Sequence, residues 1–270
     1  MSAVEILAAP FALCVLLVVS HTYLGLHVLA RGIIFVDLSL AQVAALGASM
    51  AFLFGQEVHG VWAQVYAFAA TLLAAFGFAR LRAVADKTTR EVIIGCVYVV
   101  ATALAIVILS RSVSGMEELK RLLNGSILWV GWDQVAVIAV VYGALALLHA
   151  AGRRRFEALS FGEADGGPGS FLWEYLFFAS FAVVITLAVH IAGVLIVFAF
   201  LIIPAFSASL IVVGWGRRLP LGWLLGVIGS AGGLAAAYLW DLPVGPTVVC
   251  ALGILPVLAA LGRRSIARAG

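Results

Sequence analysis

Charge is scarce in this sequence: Asp, Glu, Lys and Arg make up 11% of its 270 residues, against about a quarter in an ordinary soluble domain. Lysine is nearly missing, with Lys87 and Lys120 alone. Neither follows the glycine-rich pattern of a phosphate-binding loop, which excludes that route to nucleotide binding. Cysteine is equally sparse. Cys14, Cys96 and Cys250 stand far apart inside apolar runs, which excludes a disulfide framework or a Cys-x-x-Cys metal site and predicts three buried free thiols. There is no His-Glu-x-x-His or other dense metal-ligand spacing. The net charge of +3 is scattered over short polar segments, too thin to hold nucleic acid. Internal repeats and low-complexity tracts are absent.

What remains is apolar length. A hydrophobic fraction of 64% and a mean hydropathy of +1.17 exceed what a water-soluble fold of this size can bury. A bilayer core takes about 20 apolar residues per helix. Breaking the apolar runs at charges, Gly and Pro predicts spans at 4–29, 32–54, 61–81, 92–110, 127–150, 171–189, 191–213, 221–240 and 245–262. The stretch 171–213 is nearly continuous through His190, so eight or nine spans are expected. The N-terminal residues lack the basic region of a cleaved signal peptide and read as the start of the first span.

Basic residues collect at Arg80, Arg82, Lys87 and Arg90, at Arg153 to Arg155, at Arg217 and Arg218, and at Arg263, Arg264 and Arg268. With nine spans these all fall on one side, the cytoplasmic one by the positive-inside rule. The segment with Arg111, Lys120 and Arg121 is the exception, balanced in part by Glu117 and Glu118. Trp62, Trp129, Trp132, Trp173, Trp215, Trp223 and Trp240 lie near span ends and read as headgroup anchors. Gly222 with Gly226, and Gly229 with Gly233, give the small-x-x-x-small spacing of a packing or dimerisation face.

The polar exceptions are few. Arg153–Gly169, RRRFEALSFGEADGGPG, is longer than a bare connection needs. It opens with a basic cluster and contains a helix-compatible segment, Phe156 to Phe161, that could dock on a cytoplasmic partner. Asp37 is the clearest ionisable group within a span, expected about two turns into the second one, and such groups are functional candidates. Gln42 follows five residues later, about 140° away around a helix, so one small ligand could not meet both without another helix. His21 and His27 fall late in the first span, His190 at the join of two runs, and His59 and His149 near loops.

With these motifs in view, the chain resembles the membrane permease subunit of the zinc/manganese/iron ABC importers. The segment HIAGVLIVFAFLIIPAFSASL, His190–Leu210, is similar to that family's Ile-Ile-Pro-Ala-x-x-Ala region, and YLWDLPVGPTVV, Tyr238–Val249, to its Tyr-x-x-Asp-x-Pro-x-Gly-Pro pattern. Gly193, Pro204, Asp241, Pro243, Gly245 and Pro246 are the structural positions so matched. YLGLHVLARGIIFVDLSLAQVAALG, Tyr23–Gly47, resembles the segment that carries Gly-Asp-x-Leu-Ala-His-Ala in the family. It departs from it: in one alignment Gln42 stands at the histidine and Leu38 at the aspartate, in the other Asp37 matches and Ala41 replaces the histidine. Ile94 and Gly95 match an Ile-Gly segment more loosely, and Phe156–Ala158 the coupling segment.

The resemblance implies an all-α, polytopic helical membrane protein of the type II-like ABC importer permease class. It implies one transmembrane domain over 1–270 with a coupling loop near 153–170, multi-pass in the cytoplasmic (inner) membrane. Expected partners are a cytoplasmic ABC ATPase gripping Phe156, Glu157, Ala158, Leu159 and Phe161, an extracytoplasmic metal-binding protein, and a second permease copy, most simply in a homodimer. No permanently bound cofactor is expected. The expected cargo is a divalent transition metal, zinc first and manganese or iron next, with Asp37, Gln42, His21 and His190 as the expected pathway residues. Imidazole suits zinc and carboxylate suits harder ions, so the missing histidine leaves the metal open. A chelated metal or another small nutrient is the alternative cargo. An intramembrane hydrolase using Ser49 is a remote alternative, since no following glycine and no base accompany that serine.

Overall fold

A computed structural model describes residues 3–56, 60–84, 86–111, 117, 125–162 and 169–269. His59, Glu118, Lys120, Arg121 and the glycine-rich stretch 163–168 lie outside them. Among the described residues there are ten α-helices and no strand. They are α1 (Ala3–Arg31), α2 (Val36–Leu53), α3 (Val61–Val84), α4 (Lys87–Leu109), α5 (Trp132–Ala151), α6 (Arg153–Phe161), α7 (Ser170–Ala192), α8 (Val194–Ile211), α9 (Trp215–Leu239) and α10 (Val244–Ala269). All but the short α6 are long and apolar enough to cross a membrane, nine helices among the described residues. Helices are the element expected, because lipid offers the backbone no hydrogen-bond partner.

The ambiguous stretch 171–213 resolves into α7 and α8, broken at Gly193, whose φ of +80° and ψ of 159° lie in a region essentially reserved for glycine. Gly193→Ala is therefore expected to cost about 1–3 kcal/mol, read as a lower thermal midpoint in detergent. Gly232→Ala is its control: a Cβ there meets nothing within 4 Å, so helix propensity alone gives a small gain. An unchanged midpoint for Gly193→Ala would contradict the assignment.

Several expected boundaries move. α4 starts at Lys87, five residues early, because Asp86 accepts the Thr89 N–H at 2.7 Å as an N-cap. Hydrogen bonds from Thr89 hold the exposed Asp86 carboxyl below its usual range. The span expected at 127–150 opens instead with a 3-10 turn, Ile127–Trp129, before α5. α9 begins at Trp215 and takes in Arg217 and Arg218, since a charge at a span end does not stop a helix whose head reaches the interface. Only Cys14 of the three free thiols is buried; Cys96 and Cys250 are exposed, which corrects the expectation that all three pack inside.

The Tyr238–Pro246 motif is a helix stop followed by a helix start. Asp241 takes a left-handed φ of 51°, and the Leu242 N–H returns to the Ala237 carbonyl at 3.0 Å, the six-to-one bond of a Schellman motif. Pro243 then accepts the Thr247 N–H at 3.1 Å. Pro246 falls in the first turn of α10, where a missing N–H leaves no helical bond unmade.

By its internal contacts the chain forms two compact units. The first comprises 1–29, 124–144 and 191–270. Here α8, α9 and α10 pack on one another. The glycine-spaced face of α9 serves these intrachain contacts: a Cβ on Gly222 or Gly226 would strike Thr22 or Val18 of α1, and one on Gly229 or Gly233 would strike Leu252 or Val248 of α10. The second unit comprises 30–123 and 145–190. In it α2 packs against α4 and against α3, the latter through a small-residue seam of Ala44, Ala48, Ala51, Ala63 and Ala67, covered by Tyr66. Gly47 lets the α3 backbone at Tyr66 and Ala67 approach closely, as small residues do between membrane helices. Thr71 and Thr186 hydrogen bond at 3.1 Å, joining α3 to α7.

Candidate functional site

The sequence places a carboxylate in α2, and the structure moves it toward the start of that helix. Gly32 turns the chain at φ +66°, so residues up to Phe35 form the connection from α1. Asp37 thus lies in the first turn of α2, not two turns in. Phe35, the N-cap, has no side chain that can accept. Glu91 of α4 supplies the acceptor instead, taking the Phe35 N–H at 3.0 Å. Negative charge is favourable at this helix end. Asp37 is 1% exposed, and among the described residues neither carboxylate oxygen has a hydrogen-bond partner. Ser39 and Gln42 are also buried, and the Ser39 hydroxyl lacks a partner among the described residues.

His21 belongs to the first unit. Its Nδ1 donates to the Leu17 carbonyl at 2.9 Å, which makes Nε2 the lone-pair nitrogen. That atom is buried and without a partner among the described residues. A backbone-held imidazole with a free lone pair is the arrangement metal-ligating histidines share. His190 is exposed in the last turn of α7. No three His, Cys, Asp or Glu side chains among the described residues gather into a group able to hold a metal ion.

The segment read as a docking helix is a helix, α6, one turn longer at its start than Phe156–Phe161. Its outward positions are Arg153, Arg154, Arg155, Ala158 and Phe161, with Glu157 and Leu159 half-buried. Glu157 accepts from Arg153 Nε at 2.7 Å, an exposed i,i+4 pair worth a few tenths of a kcal/mol at most. Phe156 and Ser160 face inward. The Phe156 ring stacks on His149 at 4.2 Å and meets Trp173 edge-on at 5.4 Å. Gly152 leaves room for both rings. The Ser180 hydroxyl donates to the Phe177 carbonyl at 2.9 Å, which leaves it to accept from His149 Nε2 at 2.7 Å.

Beneath α6 lies a charge network that sequence reasoning missed. Glu174 of α7 accepts from Arg31 Nη1 at 2.9 Å through one oxygen and from Arg82 Nη1 at 3.1 Å through the other. Arg31 Nε also donates to Ser160 Oγ at 2.8 Å, and Arg82 Nη1 to the Leu159 carbonyl at 3.0 Å. The Arg31 guanidinium lies 3.7 Å over the Phe177 ring. Arg31 and Glu174 side chains are 4% and 2% exposed and Arg82 25%. The available signal was Glu174 itself, an acid inside an expected span, a position as costly as that of Asp37.

Known proteins share this architecture. Over 94% of its length the chain superposes on 90% of a chain in the solved structure of PsaBC from Streptococcus pneumoniae in complex with Fab, with a TM-score of 0.75 at 21% identity. A "Manganese transport system membrane protein MntC" from Listeria monocytogenes is 24% identical over 246 residues, 88% of this chain and 84% of that protein. A "Probable metal transport system membrane protein" from Chlamydia pneumoniae is 28% identical over 169 residues, 60% of this chain. The aligned part spans 56% of that relative's length. The ABC 3 transport family model matches residues 3–263, nearly the whole chain, and with that coverage the chain belongs to the ABC 3 transport family.

Proposed function

We propose that this chain is the membrane permease of an ATP-driven importer for a divalent transition metal. The observation that carries the proposal is Asp37, a fully buried carboxylate without a partner among the described residues, in a chain matched from 3 to 263 by a transport family. An uncompensated carboxylate at a membrane helix is expensive, and a passing cation compensates it. The metal is cargo, held transiently. Asp37 and Gln42 offer oxygen and His21 offers nitrogen, as separate waypoints. Zinc is the first cargo on the resemblance. Manganese is the second reading, favoured by the oxygen donors of α2 and by the name of the Listeria relative.

ATP hydrolysis belongs to a separate cytoplasmic chain in this reading, docked on the basic and apolar outer face of α6, where Ala158 and Phe161 are exposed. A metal-binding protein on the opposite side delivers the ion, and a second permease copy completes the path. The test is metal content and growth of cells lacking or carrying the chain with its ATPase, under zinc, manganese and iron limitation in turn. Rescue confined to one metal, with that metal accumulating, is the expected result. Equal growth and metal content with and without the chain under all three would overturn the proposal.

A further inference from the structure

We propose that Arg31, Glu174 and Arg82 are positioning residues for transport, a linkage that carries movement of α6 into the ends of α1, α3 and α7. The inference rests on the reading of α6 as the ATPase-facing helix and names how that helix is tied to the membrane part.

Its basis is a network in which the Glu174 carboxylate of α7 holds arginines from α1 and α3, and those arginines in turn hold α6. α6 has only nine residues, too few to hold a helix or a position by itself. Two attachments of different chemistry fix it. In its first turn Phe156 is fully buried against His149 and Trp173. In its last turn Ser160 and the Leu159 carbonyl each receive an arginine. Cations there also satisfy the carbonyl end of the helix, where backbone acceptors are unfilled. Those arginines come from the last turn of α1 and from near the end of α3, and both are held by Glu174. Any displacement of α6 along its axis therefore pulls on both through bonds of 2.8 to 3.0 Å.

The chemistry chosen for the joint supports a mechanical role. Apolar packing alone would hold a short helix at least as well, since buried ion pairs return little net stability over apolar residues of similar size. A carboxylate with one oxygen on each guanidinium instead sets distances and directions. Such a joint moves as one piece or breaks.

The experiment uses the whole importer, this chain with its ATPase and binding protein, reconstituted in vesicles and supplied with manganese or zinc on the binding protein. ATP hydrolysed and metal taken up are measured together, and the reported quantity is metal per ATP. Glu174→Gln is expected to keep the ATPase bound and hydrolysing while metal per ATP falls about tenfold or more, as for loss of charge-assisted bonds. Ser160→Ala removes the hydroxyl that accepts from Arg31 Nε and no charge, and a fall of about two- to fivefold is expected. It keeps the question answerable where Glu174→Gln fails to assemble. A merely structural role lowers hydrolysis and uptake together, so an unchanged ratio in Ser160→Ala overturns the proposal whatever the total uptake. Absence of ATP-dependent metal uptake by the wild-type complex overturns the importer reading instead, and this inference with it.

Discussion

Glu174→Ala is expected to cost about 3–5 kcal/mol of stability, the range for removing one partner of a buried ion pair. The variant leaves Arg31, 4% exposed, as a charge in an apolar surrounding with its principal acceptor gone. Arg82 adds like-charge repulsion nearby, but at 25% exposed it retains some solvent and contributes less. The Ser160 hydroxyl and the Phe177 ring remain against Arg31; neither is an anion. Thermal unfolding in detergent, followed by the folded fraction after heating, reads the effect. The double variant Arg31→Met with Glu174→Met should recover most of the loss, because both buried charges disappear together. The pair then shows strong non-additivity in a double-mutant cycle. A Glu174→Ala protein within about 1 kcal/mol of wild type would mean that Glu174 does not hold the arginines.

Asp37→Leu should act in the opposite sense on stability and more severely on transport. Leucine has the branching of aspartate, so it replaces two partnerless buried oxygens with methyl groups at little change in shape. Burying a polar group without a hydrogen bond costs about 1–3 kcal/mol in proteins, and a gain of that order is expected in the thermal midpoint. Metal uptake should fall about 10- to 100-fold, the scale on which removal of groups around a metal acts. This opposition is the mark of a residue kept for function at the expense of stability. A variant that is both less stable and fully active would show Asp37 to be structural.

Much of the fold was legible because a bilayer leaves a helical sequence few choices. Apolar runs broken at charges, Gly and Pro located eight or nine membrane helices, and Gly193, the residue able to hold its backbone angles, decided where the long stretch 171–213 divides. The helix ends were less legible. Asp86 caps α4 earlier than a rule that breaks spans at charges allows, and Gly32 delays α2 until Val36, which brings Asp37 from about two turns in to the first turn. The glycine spacing of α9 admitted two uses in sequence, an intrachain face or a dimer face. Contacts with Thr22, Val18, Leu252 and Val248 show the first.

The site divides along the same line. Asp37 stood out in sequence because a carboxylate amid apolar residues has no local excuse, and α6 because its polar composition interrupts the apolar pattern. Arg31, Arg82 and Glu174 did not stand out, being separated by 51 and 92 residues and each placed near a span end, where charge is unremarked. The sequence by itself determined that the chain lies in a membrane as helices, since that follows from apolar length and from backbone groups that must pair within their own segment. Which charges meet, and that the carboxylate of Asp37 meets none among the described residues while that of Glu174 meets two, only the tertiary structure decided. Pairing of side chains is a matter of distance in space, and helices joined by short turns bring together residues that no local pattern relates.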